Sequence, residues 1–300
     1  DMQLCFLTTN DITGGNSGLG FQTALNLAAN LDTHLVLACR NLEKADNACR
    51  EIIQTSGNQN IRAAQLDLSS LESVNRFSQE MKQLSTPIDV LLCNAGISSQ
   101  TGRTKDGMDV VFESNYLGHF LLTLNLLPML SKPGRIMMIS SDMHFPLFGT
   151  LPWIGVEKLA YPDEALAADP IRYSYSKLLM LYFVYKLDRE LRAAGSDKTI
   201  NAFNPGLMPT TGLLPHEMFT EEYLEMIRHM DQLGVAEENG VTMAKLLTAE
   251  ELGNGSGLYY DRDRGPKASS ELSYNVNYQE DVWNYSLKLC GISADCLTIL

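Results

Sequence analysis

The sequence predicts a doubly wound α/β fold, in which helices cover both faces of a mostly parallel sheet. Short apolar segments alternate with longer amphipathic segments along the chain, which is typical of strand–helix–strand units. A glycine cluster at residues 13–20 lies between the first apolar segment and the first helical pattern. The 300 residues are 45% hydrophobic and 20% charged, so we interpret residues 1–300 as one domain with a sizeable core.

The predicted strands and helices follow each other in the order that this fold requires. Six apolar segments are predicted as strands: residues 4–8, 34–38, 61–66, 88–93, 135–139 and 199–203. Helices are predicted at residues 21–29, 42–53, 71–84, 106–129, 173–194, 236–247 and about 278–290. Asn41 and Ser69 are the predicted N-caps of the second and third helices.

Two polar residues interrupt the first strand. Asn10 and Asp11 stand directly before Ile12 and the glycine cluster. A buried parallel strand is expected to be apolar at that point. Either Asp11 is hydrogen-bonded at the strand end, or this edge of the fold is irregular.

The glycine cluster predicts a binding site for a pyrophosphate. Glycine lets the backbone turn sharply and approach a ligand, and a helix start offers free N–H groups and the positive end of the helix dipole. The spacing here is Gly-x-x-x-Gly-x-Gly, directly before a helical pattern. The predicted phosphate cradle consists of Gly14, Asn16, Ser17, Gly18, Leu19 and Gly20.

Arg40 indicates which dinucleotide this cradle serves. It follows the second strand, twenty residues after Gly20. Dinucleotide-binding units place an acidic residue there to hold the ribose 2′-hydroxyl of NAD, whereas an arginine accommodates the 2′-phosphate of NADP. Asp32 precedes the strand and therefore lies at its wrong end. The sequence favours NADP(H), the alternative being a solvated arginine at a helix start.

The ends of the third and fourth strands carry further candidate cofactor contacts. Asp67 and Leu68 follow the third strand, where the carboxylate would reach the adenine amino group. Asn94, Ala95 and Gly96 follow the fourth strand. Small residues there let the chain pass close to a ribose or to nicotinamide, although a simple strand-end turn would have the same sequence.

Tyr173 and Lys177 are the candidate catalytic pair. They are one helical turn apart and share a helix face. A tyrosine–lysine pair is common, but Ser141 at the end of the neighbouring strand and the upstream cradle make the combination specific. Asn115 and His119 lie in the long helical pattern before that strand, and such residues are by default packing residues.

Composition excludes several kinds of partner. The net charge of −13 argues against nucleic acid or an anionic membrane surface. The six cysteines show no Cys-x-x-Cys pair and no metal-ligand spacing with the histidines, so no metal site is predicted and the thiols are interpreted as reduced. The longest apolar run, residues 120–130, is too short for a membrane span. Without a signal-peptide pattern, the expected location is cytoplasmic.

The residues singled out so far resemble the motifs of the short-chain dehydrogenase/reductase family. The match covers about residues 12–260, in the family's order. It includes Thr-Gly-x-x-x-Gly-x-Gly at 13–20, Asn-Ala-Gly at 94–96, asparagine at 115, serine at 141, Tyr-x-x-x-Lys at 173 and 177, and Pro-Gly at 205–206. The resemblance implies a Rossmann fold with a mostly parallel, seven-stranded sheet, the seventh strand lying at residues 257–260.

Within the family the chain is similar to the branch of retinol dehydrogenases and light-dependent protochlorophyllide reductases. Residues 38–40, residues 115–122 and the long gap between Ser141 and Tyr173 resemble this branch. Other segments resemble one group of this branch more than the other. The protochlorophyllide reductases are resembled by residues 204–213 and 257–260, and the retinol dehydrogenases by residues 140–144 and 169–173. This mixture leaves the substrate open.

The resemblance implies a role for each candidate residue. Tyr173 is the acid/base, which requires lowering the pKa of its phenol by about three units, or about 4 kcal/mol. An ammonium about 4 Å away supplies an energy of that order at an effective dielectric of about 20. Lys177 would provide it, helped by the positive charge of the oxidised nicotinamide, while binding the nicotinamide ribose. Ser141 would donate a hydrogen bond to the substrate oxygen, and Asn115 would hold a relay water.

The segment after the sixth strand resembles the loop that closes over nicotinamide. Its candidate contacts are Pro205, Gly206, Leu207 and Thr210, with either Thr210 or Thr211 reaching the carboxamide or a phosphate. The Met-rich residues of the segment at about 207–235 are core residues by default and a substrate lid by resemblance. Family members often dimerise through the helices that carry Asn115 and Tyr173. The apolar faces of these helices would serve equally well for a homo-oligomer interface or for packing against the sheet, so both alternatives stay open.

The sequence therefore predicts an NADPH-dependent oxidoreductase that transfers a hydride between nicotinamide and a small apolar carbonyl or alcohol substrate. One alternative is reduction of a carbon–carbon double bond, as in protochlorophyllide reductases. The other is a non-catalytic dinucleotide-binding module. The intact set of Asn115, Ser141, Tyr173 and Lys177 argues against the module.

Overall fold

The computed structural model describes residues 8–145, 151–213, 219–229, 231–249 and 255–293. The strands are β1 (Thr8–Thr13), β2 (Thr33–Cys39), β3 (Ile61–Gln65), β4 (Ile88–Cys93), β5 (Leu130–Ile139), β6 (Thr199–Asn204), β7 (Tyr259–Asp261) and β8 (Pro266–Lys267). Within the described ranges they form one sheet in the order β3-β2-β1-β4-β5-β6-β7-β8. Neighbours from β3 to β7 are parallel, and β8 is antiparallel to β7.

This sheet confirms the predicted doubly wound α/β class, with one addition. Seven strands are parallel, as expected, and the eighth is a two-residue edge strand. The chain reverses after Gly265, whose φ of 84° favours glycine, and so pairs Pro266 with Tyr260. Two residues are too short to show an alternating pattern, which is why the sequence did not predict β8.

Helices cover both faces of the sheet. They are α1 (Gly18–Ala28), α2 (Leu42–Ser56), α3 (Leu71–Leu84), α4 (Val110–Phe112), α5 (Gly118–Leu126), α6 (Val156–Ala160), α7 (Glu164–Ala168), α8 (Ile171–Ala193), α9 (Glu221–His229), α10 (Ala236–Thr248) and α11 (Val276–Cys290). Buried side chains of α1, α2 and α10 pack on one face, and those of α3, α5, α8 and α11 on the other.

The helices differ from the prediction in the long segment before β5 and at the start of α3. The helix expected at residues 106–129 is divided into α4, a π-helical turn at Glu113–Leu117, α5 and a 3-10 turn at Leu127–Met129 that contains Pro128. Ser70, not Ser69, is the N-cap of α3. The Ser69 hydroxyl is unsuited to capping because it donates to the Asp67 carboxylate at 2.6 Å.

The first strand runs through the two polar residues that were expected to interrupt it. β1 begins at Thr8, so the predicted strand at residues 4–8 is wrong in its end point, and residues 4–7 lie outside the described residues. Six consecutive residues pair with β2, so the strand is regular. Asn10 and Asp11 are each 1% exposed, and their side chains have no hydrogen-bond partner among the described residues. Neither expected explanation therefore holds.

The buried carboxyl of Asp11 makes the stability of the protein depend on pH. Burial raises the pKa of Asp11 from 3.8 to about 7, although the positive charge of Arg62 opposes this shift. Between these two values the folded protein holds a proton that the unfolded chain releases, so the stability that protonated Asp11 contributes is fully present below pH 3.8 and is lost as the pH rises through about 7.

We expect Asp11→Asn to remove this contribution, which amounts to up to about 4 kcal/mol between pH 4 and pH 8. The measurement is the free energy of unfolding by urea at several pH values. Glu113, whose pKa burial raises to about 8, adds a slope of the same sign to both proteins, so the difference between them is the relevant quantity. Equal slopes would show that Asp11 is ionised in the folded protein.

Helix α11 covers the apolar faces of α5 and α8. The Trp283 ring lies 5.3 Å from the ring of Phe120 and 5.9 Å from that of Phe183, measured between centroids. Large side chains of the helices that carry the candidate catalytic residues are thus packed inside this chain. The α11 boundary agrees with the predicted helix at about 278–290 and extends it by two residues at its start.

The predicted lid at residues 207–235 contains α9. Its Ile227 is buried, whereas Met226 is 46% exposed. Residues 214–218 and residue 230, which include Met218 and Met230, lie outside the described residues. Across the described ranges, no helix is both long enough and apolar enough to cross a membrane.

Candidate active site

The glycine cluster forms the turn between β1 and α1 at the carboxyl edge of the sheet. Gly14 (φ 64°) and Gly18 (φ 54°) adopt the left-handed conformation that favours glycine. Ser17 precedes α1 in an extended conformation, and its exposed side chain makes no capping hydrogen bond. The first turn of α1 contains no acidic residue. The positive end of this helix therefore has no counter-charge from its own first turn, which suits a phosphate.

Asn94 and Thr13 hold this turn against the end of β4. Asn94 Nδ2 donates to the carbonyl oxygens of Thr13 (3.0 Å) and Gly14 (3.3 Å). Thr13 Oγ1 accepts the backbone N–H groups of Asn94 (2.9 Å) and Ala95 (3.0 Å). A Cβ atom at Gly20 would lie 2.5 Å from Asn94 Nδ2, so this contact requires glycine. These bonds join β1 to β4, where the strand order reverses and such sheets bind their ligands.

The loop after β6 is attached to a neighbouring segment of the lid. Gly206 has a φ of 70°, and Leu207 forms a parallel bridge with Leu233. The carbonyl of Pro205 accepts a hydrogen bond from Asn239 Nδ2 at 2.7 Å. The predicted nicotinamide loop is therefore held by backbone and side-chain contacts from residues 233–239.

The residues around the cradle differ in which atoms they can present to a ligand. A Cβ atom at Gly18 would lie 3.1 Å from Thr211 Cγ2, whereas Thr210 is exposed. Thr211 is thus the threonine that borders the cradle. Asn16 is half-buried, and Leu19 is 3% exposed, so Leu19 can present only its backbone N–H to a ligand.

Arg40 lies exposed at the end of β2. Its carbonyl oxygen accepts a hydrogen bond from Gln65 Nε2 at 2.6 Å. Its guanidinium forms no hydrogen bond or ion pair with any other residue that the structure describes. This positive charge is therefore free to meet an anionic group of a ligand.

The two predicted contacts after β3 differ in how far other residues already engage them. The Asp67 Oδ1 accepts hydrogen bonds from the Ser69 N–H (3.0 Å) and hydroxyl (2.6 Å), whereas Oδ2 accepts none from the residues that the structure describes. Leu68 is 7% exposed, and its carbonyl oxygen would lie 2.4 Å from a Cβ at Gly118. Leu68 thus packs against the start of α5.

Asn115 ties the loop after β4 to α8. Its Oδ1 accepts the Ile97 N–H at 2.8 Å, and its Nδ2 donates to the Ile97 carbonyl (2.8 Å) and to Ser176 Oγ (3.0 Å). Ser176 Oγ in turn donates to the carbonyl of Tyr173 at 2.7 Å. Both side-chain N–H groups are used in this way, so the side chain has a positioning role, and the relay water stays a prediction.

Tyr173 and Lys177 lie together next to the end of β5. Lys177 Nζ is 5.3 Å from the centroid of the Tyr173 ring and donates to the Ile139 carbonyl at 2.9 Å. Ser141 follows β5, and its Oγ interacts with the Tyr173 phenol and accepts the Met143 N–H at 3.2 Å. The helix and the strand end thus present a phenol, an ammonium and a hydroxyl to one place.

Asn115, the remaining predicted catalytic residue, lies close to Lys177 at Gly96. A Cβ atom at Gly96 would lie 3.6 Å from Asn115 Oδ1 and 3.7 Å from Lys177 Nζ. Asn115 therefore belongs to the same cluster as Tyr173, Lys177 and Ser141. The four predicted catalytic residues converge at the carboxyl end of the sheet.

The ionisation of the pair differs from the expectation. Burial raises the pKa of the Tyr173 phenol to about 12, although the interaction with Ser141 opposes this shift. Burial also lowers the pKa of Lys177 to about 8. The expected lowering of the phenol pKa by Lys177 is therefore not found, since the desolvation of the phenol outweighs other effects.

A buried ion pair connects the two helices that carry these residues. Arg172 Nη1 and Asp109 Oδ2 are 2.5 Å apart, and the two side chains are 5% and 2% exposed. Asp109 also caps α4 by accepting the N–H groups of Val111 and Phe112, both at 3.0 Å. Since Arg172 directly precedes Tyr173, this pair fixes the start of α8 to the start of the helix that leads to Asn115.

Sequence reasoning missed the residues that hold the site together. Ser176, Arg172 and Asp109 were not singled out, and Thr13 was noted only as part of a motif. For Ser176 a signal exists, because it lies between Tyr173 and Lys177 in the Tyr-x-x-x-Lys motif. The other contacts join residues far apart in the chain and leave no local pattern. In the described ranges, no group of three or more His, Cys, Asp or Glu side chains could hold a metal ion.

Comparisons with known proteins bear on this geometry. A sequence model described as short chain dehydrogenase matches residues 11–150. Human polyprenol dehydrogenase is 30% identical over 291 residues, covering 94% of this chain and 84% of that protein. Human retinol dehydrogenase 13 is 33% identical over 296 residues, also covering 94% of this chain and 84% of the relative.

A solved structure shows the same architecture. The crystal structure of an uncharacterized protein from Mycobacterium paratuberculosis superposes with a TM-score of 0.75 at 27% identity. The superposition covers 95% of this chain and 94% of that chain. The similarity therefore extends over the helices and strands on both sides of the candidate site.

Proposed function

We propose that this chain, which belongs to the retinol dehydrogenase-like branch of the short-chain dehydrogenase/reductase family, is an NADP(H)-dependent oxidoreductase of apolar carbonyl or alcohol substrates. One observation carries the proposal. The phenol of Tyr173, the ammonium of Lys177, the hydroxyl of Ser141 and the Asn115 side chain converge at the strand ends next to the glycine turn. This is a proton donor and a hydrogen-bond donor beside a nucleotide cradle.

The residues of the cradle fit a dinucleotide. The first turn of α1 is without an acidic residue, the Ser17 hydroxyl is free of a capping bond, and Gly20 has no room for a side chain. The pyrophosphate would bind to the N–H groups at the start of α1, and Arg40 would pair with the ribose 2′-phosphate. When bound, the nicotinamide would supply or accept the hydride.

Tyr173 would be the proton donor when the substrate is a carbonyl. A phenol with a pKa of about 12 is protonated at neutral pH, so it can give its proton to the oxygen of a carbonyl that gains negative charge. Ser141 would donate a second hydrogen bond to the same oxygen. Lys177, with a pKa of about 8, stays mostly charged at neutral pH and stabilises the phenolate that forms.

Exposed apolar side chains beside Ser141 support an apolar substrate. Met143 is 40% exposed and Phe145 is 56% exposed, and both follow Ser141 within four residues. Large exposed apolar side chains next to a polar reaction centre are typical of a cleft for an apolar ligand. A substrate with an apolar body would cover them while its oxygen reaches Tyr173.

The first test is a fluorescence titration of the purified protein with NADPH and with NADH. We expect Arg40→Ala to raise the Kd of NADPH about tenfold, because a charge-assisted contact to the 2′-phosphate is lost, and to change the Kd of NADH less than about twofold. Arg50→Ala is the matched control, since Arg50 is also exposed but lies on α2, away from the cradle. Equal effects of Arg40→Ala on both nucleotides would contradict the assigned role.

The second test is NADPH oxidation with a panel of apolar aldehydes and ketones, and with substrates that carry only a carbon–carbon double bond. Turnover of the carbonyl compounds supports the proposal. Turnover restricted to the double bonds would replace it with the alternative reductase. Tight NADPH binding without any turnover would favour a non-catalytic module.

A further inference from the structure

A buried chain of hydrogen bonds runs from the glycine turn to the main chain of Asn115, through a side chain that the mechanism does not use. His119 Nε2 lies 3.0 Å from Thr13 Oγ1, and His119 Nδ1 lies 2.9 Å from the carbonyl oxygen of Asn115. Thr13 is 1% exposed, and His119 and Asn115 are fully buried. The histidine thus bridges β1 and the π-helical turn.

The partners determine the tautomer of His119. The Asn115 carbonyl can only accept, so Nδ1 carries the proton and donates. Burial lowers the pKa of His119 to about 4, so the ring is neutral and Nε2 is an acceptor. The Thr13 hydroxyl must therefore donate to Nε2, while its oxygen accepts the N–H groups of Asn94 and Ala95.

Every donor and acceptor of the Thr13 hydroxyl is then used. A hydroxyl offers one proton and two lone pairs, and here the proton goes to His119 and the lone pairs go to Asn94 and Ala95. A side chain at position 119 without an acceptor would leave the hydroxyl to turn towards the Leu92 carbonyl, which lies at 3.4 Å. The orientation of the hydroxyl, and with it the two N–H contacts, is therefore controlled from α5.

We propose that His119 is a positioning residue that couples the nucleotide cradle to the catalytic cluster. Its Nε2 end orders the turn at the end of β4 through Thr13, and its Nδ1 end holds the backbone of Asn115 in the π-helical turn. The inference rests on the proposed function, because the cradle must bind a nucleotide for the coupling to matter. A buried side chain that joins two parts of a site in one geometry acts in the way that supporting residues do in enzymes.

Variants that keep one end of the bridge at a time test this proposal. His119→Asn retains a donor to the Asn115 carbonyl but does not reach Thr13. His119→Gln places a polar group near Thr13 but not near that carbonyl. His119→Leu removes both contacts. Thr123→Val is the matched control, because it removes a fully buried hydroxyl from the same helix. Among the residues that the structure describes, the polar contact of this hydroxyl is with Cys93 Sγ, at 3.8 Å.

The readouts are the Kd of NADPH, kcat with a carbonyl substrate, and hydrogen–deuterium exchange of the segment around Asn94 and Ala95. We expect His119→Asn to weaken NADPH binding and to speed exchange at that segment while keeping kcat within about threefold. We expect His119→Gln to leave NADPH binding and exchange at that segment nearly unchanged and to lower kcat about tenfold. The loss of kcat follows because displacement of a supporting group misplaces the reacting atoms. Thr123→Val should change none of these values by more than about twofold.

The outcomes separate this inference from the proposed function. If the unaltered protein does not bind NADPH, the proposed function fails, while the exchange measurement still reports on the bridge from His119 to Thr13. If it binds NADPH, the coupling role is wrong in two cases. In the first, both the Asn and the Gln variant bind NADPH more weakly and have a lower kcat; in the second, neither value changes in either variant. If His119→Leu does not fold, the two variants that each keep one contact decide the question.

Discussion

Replacing Tyr173 with phenylalanine is expected to lower kcat by about 10³-fold while leaving the Kd of NADPH within about threefold, because general acid catalysis contributes a factor of that order. The variant removes the phenol hydroxyl that would donate its proton to the substrate oxygen. It keeps the ring beside Lys177 and the helix that carries both. The measurement is steady-state NADPH oxidation together with a binding titration.

Tyr175→Phe is the matched control for this experiment. Tyr175 lies on the same helix two residues later, but its hydroxyl donates to the Pro152 carbonyl at 2.6 Å. Loss of that bond costs about 1 kcal/mol of stability and is expected to leave kcat within about twofold. Retention of more than a tenth of kcat in Tyr173→Phe would show that another group donates the proton.

The second large effect is expected from Arg172→Met. Removing one partner of a buried ion pair leaves an uncompensated charge, so the free energy of unfolding is expected to fall by about 3–5 kcal/mol. The charge left behind is that of Asp109, which is 2% exposed. Urea unfolding measured by circular dichroism reports this change.

A second variant separates charge from packing. Arg172→Met combined with Asp109→Asn removes both charges, and the asparagine Oδ1 still accepts the N–H groups that begin α4. We expect this double variant to recover most of the lost stability, as replacement of whole buried pairs does. Arg228→Met serves as the control, because Arg228 and its partner Glu225 are 66% and 53% exposed, and exposed pairs contribute at most about 1 kcal/mol. No recovery in the double variant would mean that packing of Arg172, not its charge, carries the effect.

The ion pair also bears on catalysis. Arg172 precedes Tyr173 and donates to the Gln100 carbonyl at 3.0 Å, in the loop that follows Gly96. The same guanidinium therefore contacts the loop after β4, Asp109 at the start of α4 and the Asp169 carbonyl before α8. A lower kcat in the folded fraction of Arg172→Met would follow from a displaced Tyr173.

Local patterns in the sequence predicted most of the parallel strands and the pair of Tyr173 and Lys177. Apolar runs predicted β4 at both ends, and the cluster of Gly14, Gly18 and Gly20 predicted the turn, because strand periodicity and glycine's backbone freedom act over a few residues. The position of Ser141 at a strand end singled it out, and the family motifs added Asn115, which residue patterns alone did not distinguish from a packing residue. The structure brings Ser141 and Asn115 together with Tyr173 and Lys177.

Only the tertiary structure decided how that cluster is held. The burial of Asp11 in a regular strand follows from its pairing with β2 and β4, which polarity by itself argued against. The pKa of Tyr173 depends on how far the surrounding elements desolvate the phenol, which residue spacing alone does not show. The pairing of Arg172 with Asp109 and the bridge from Thr13 through His119 join residues 63 and 106 positions apart. Such contacts depend on which helices and strands pack against each other, and the spacing of residues along the chain does not predict that packing.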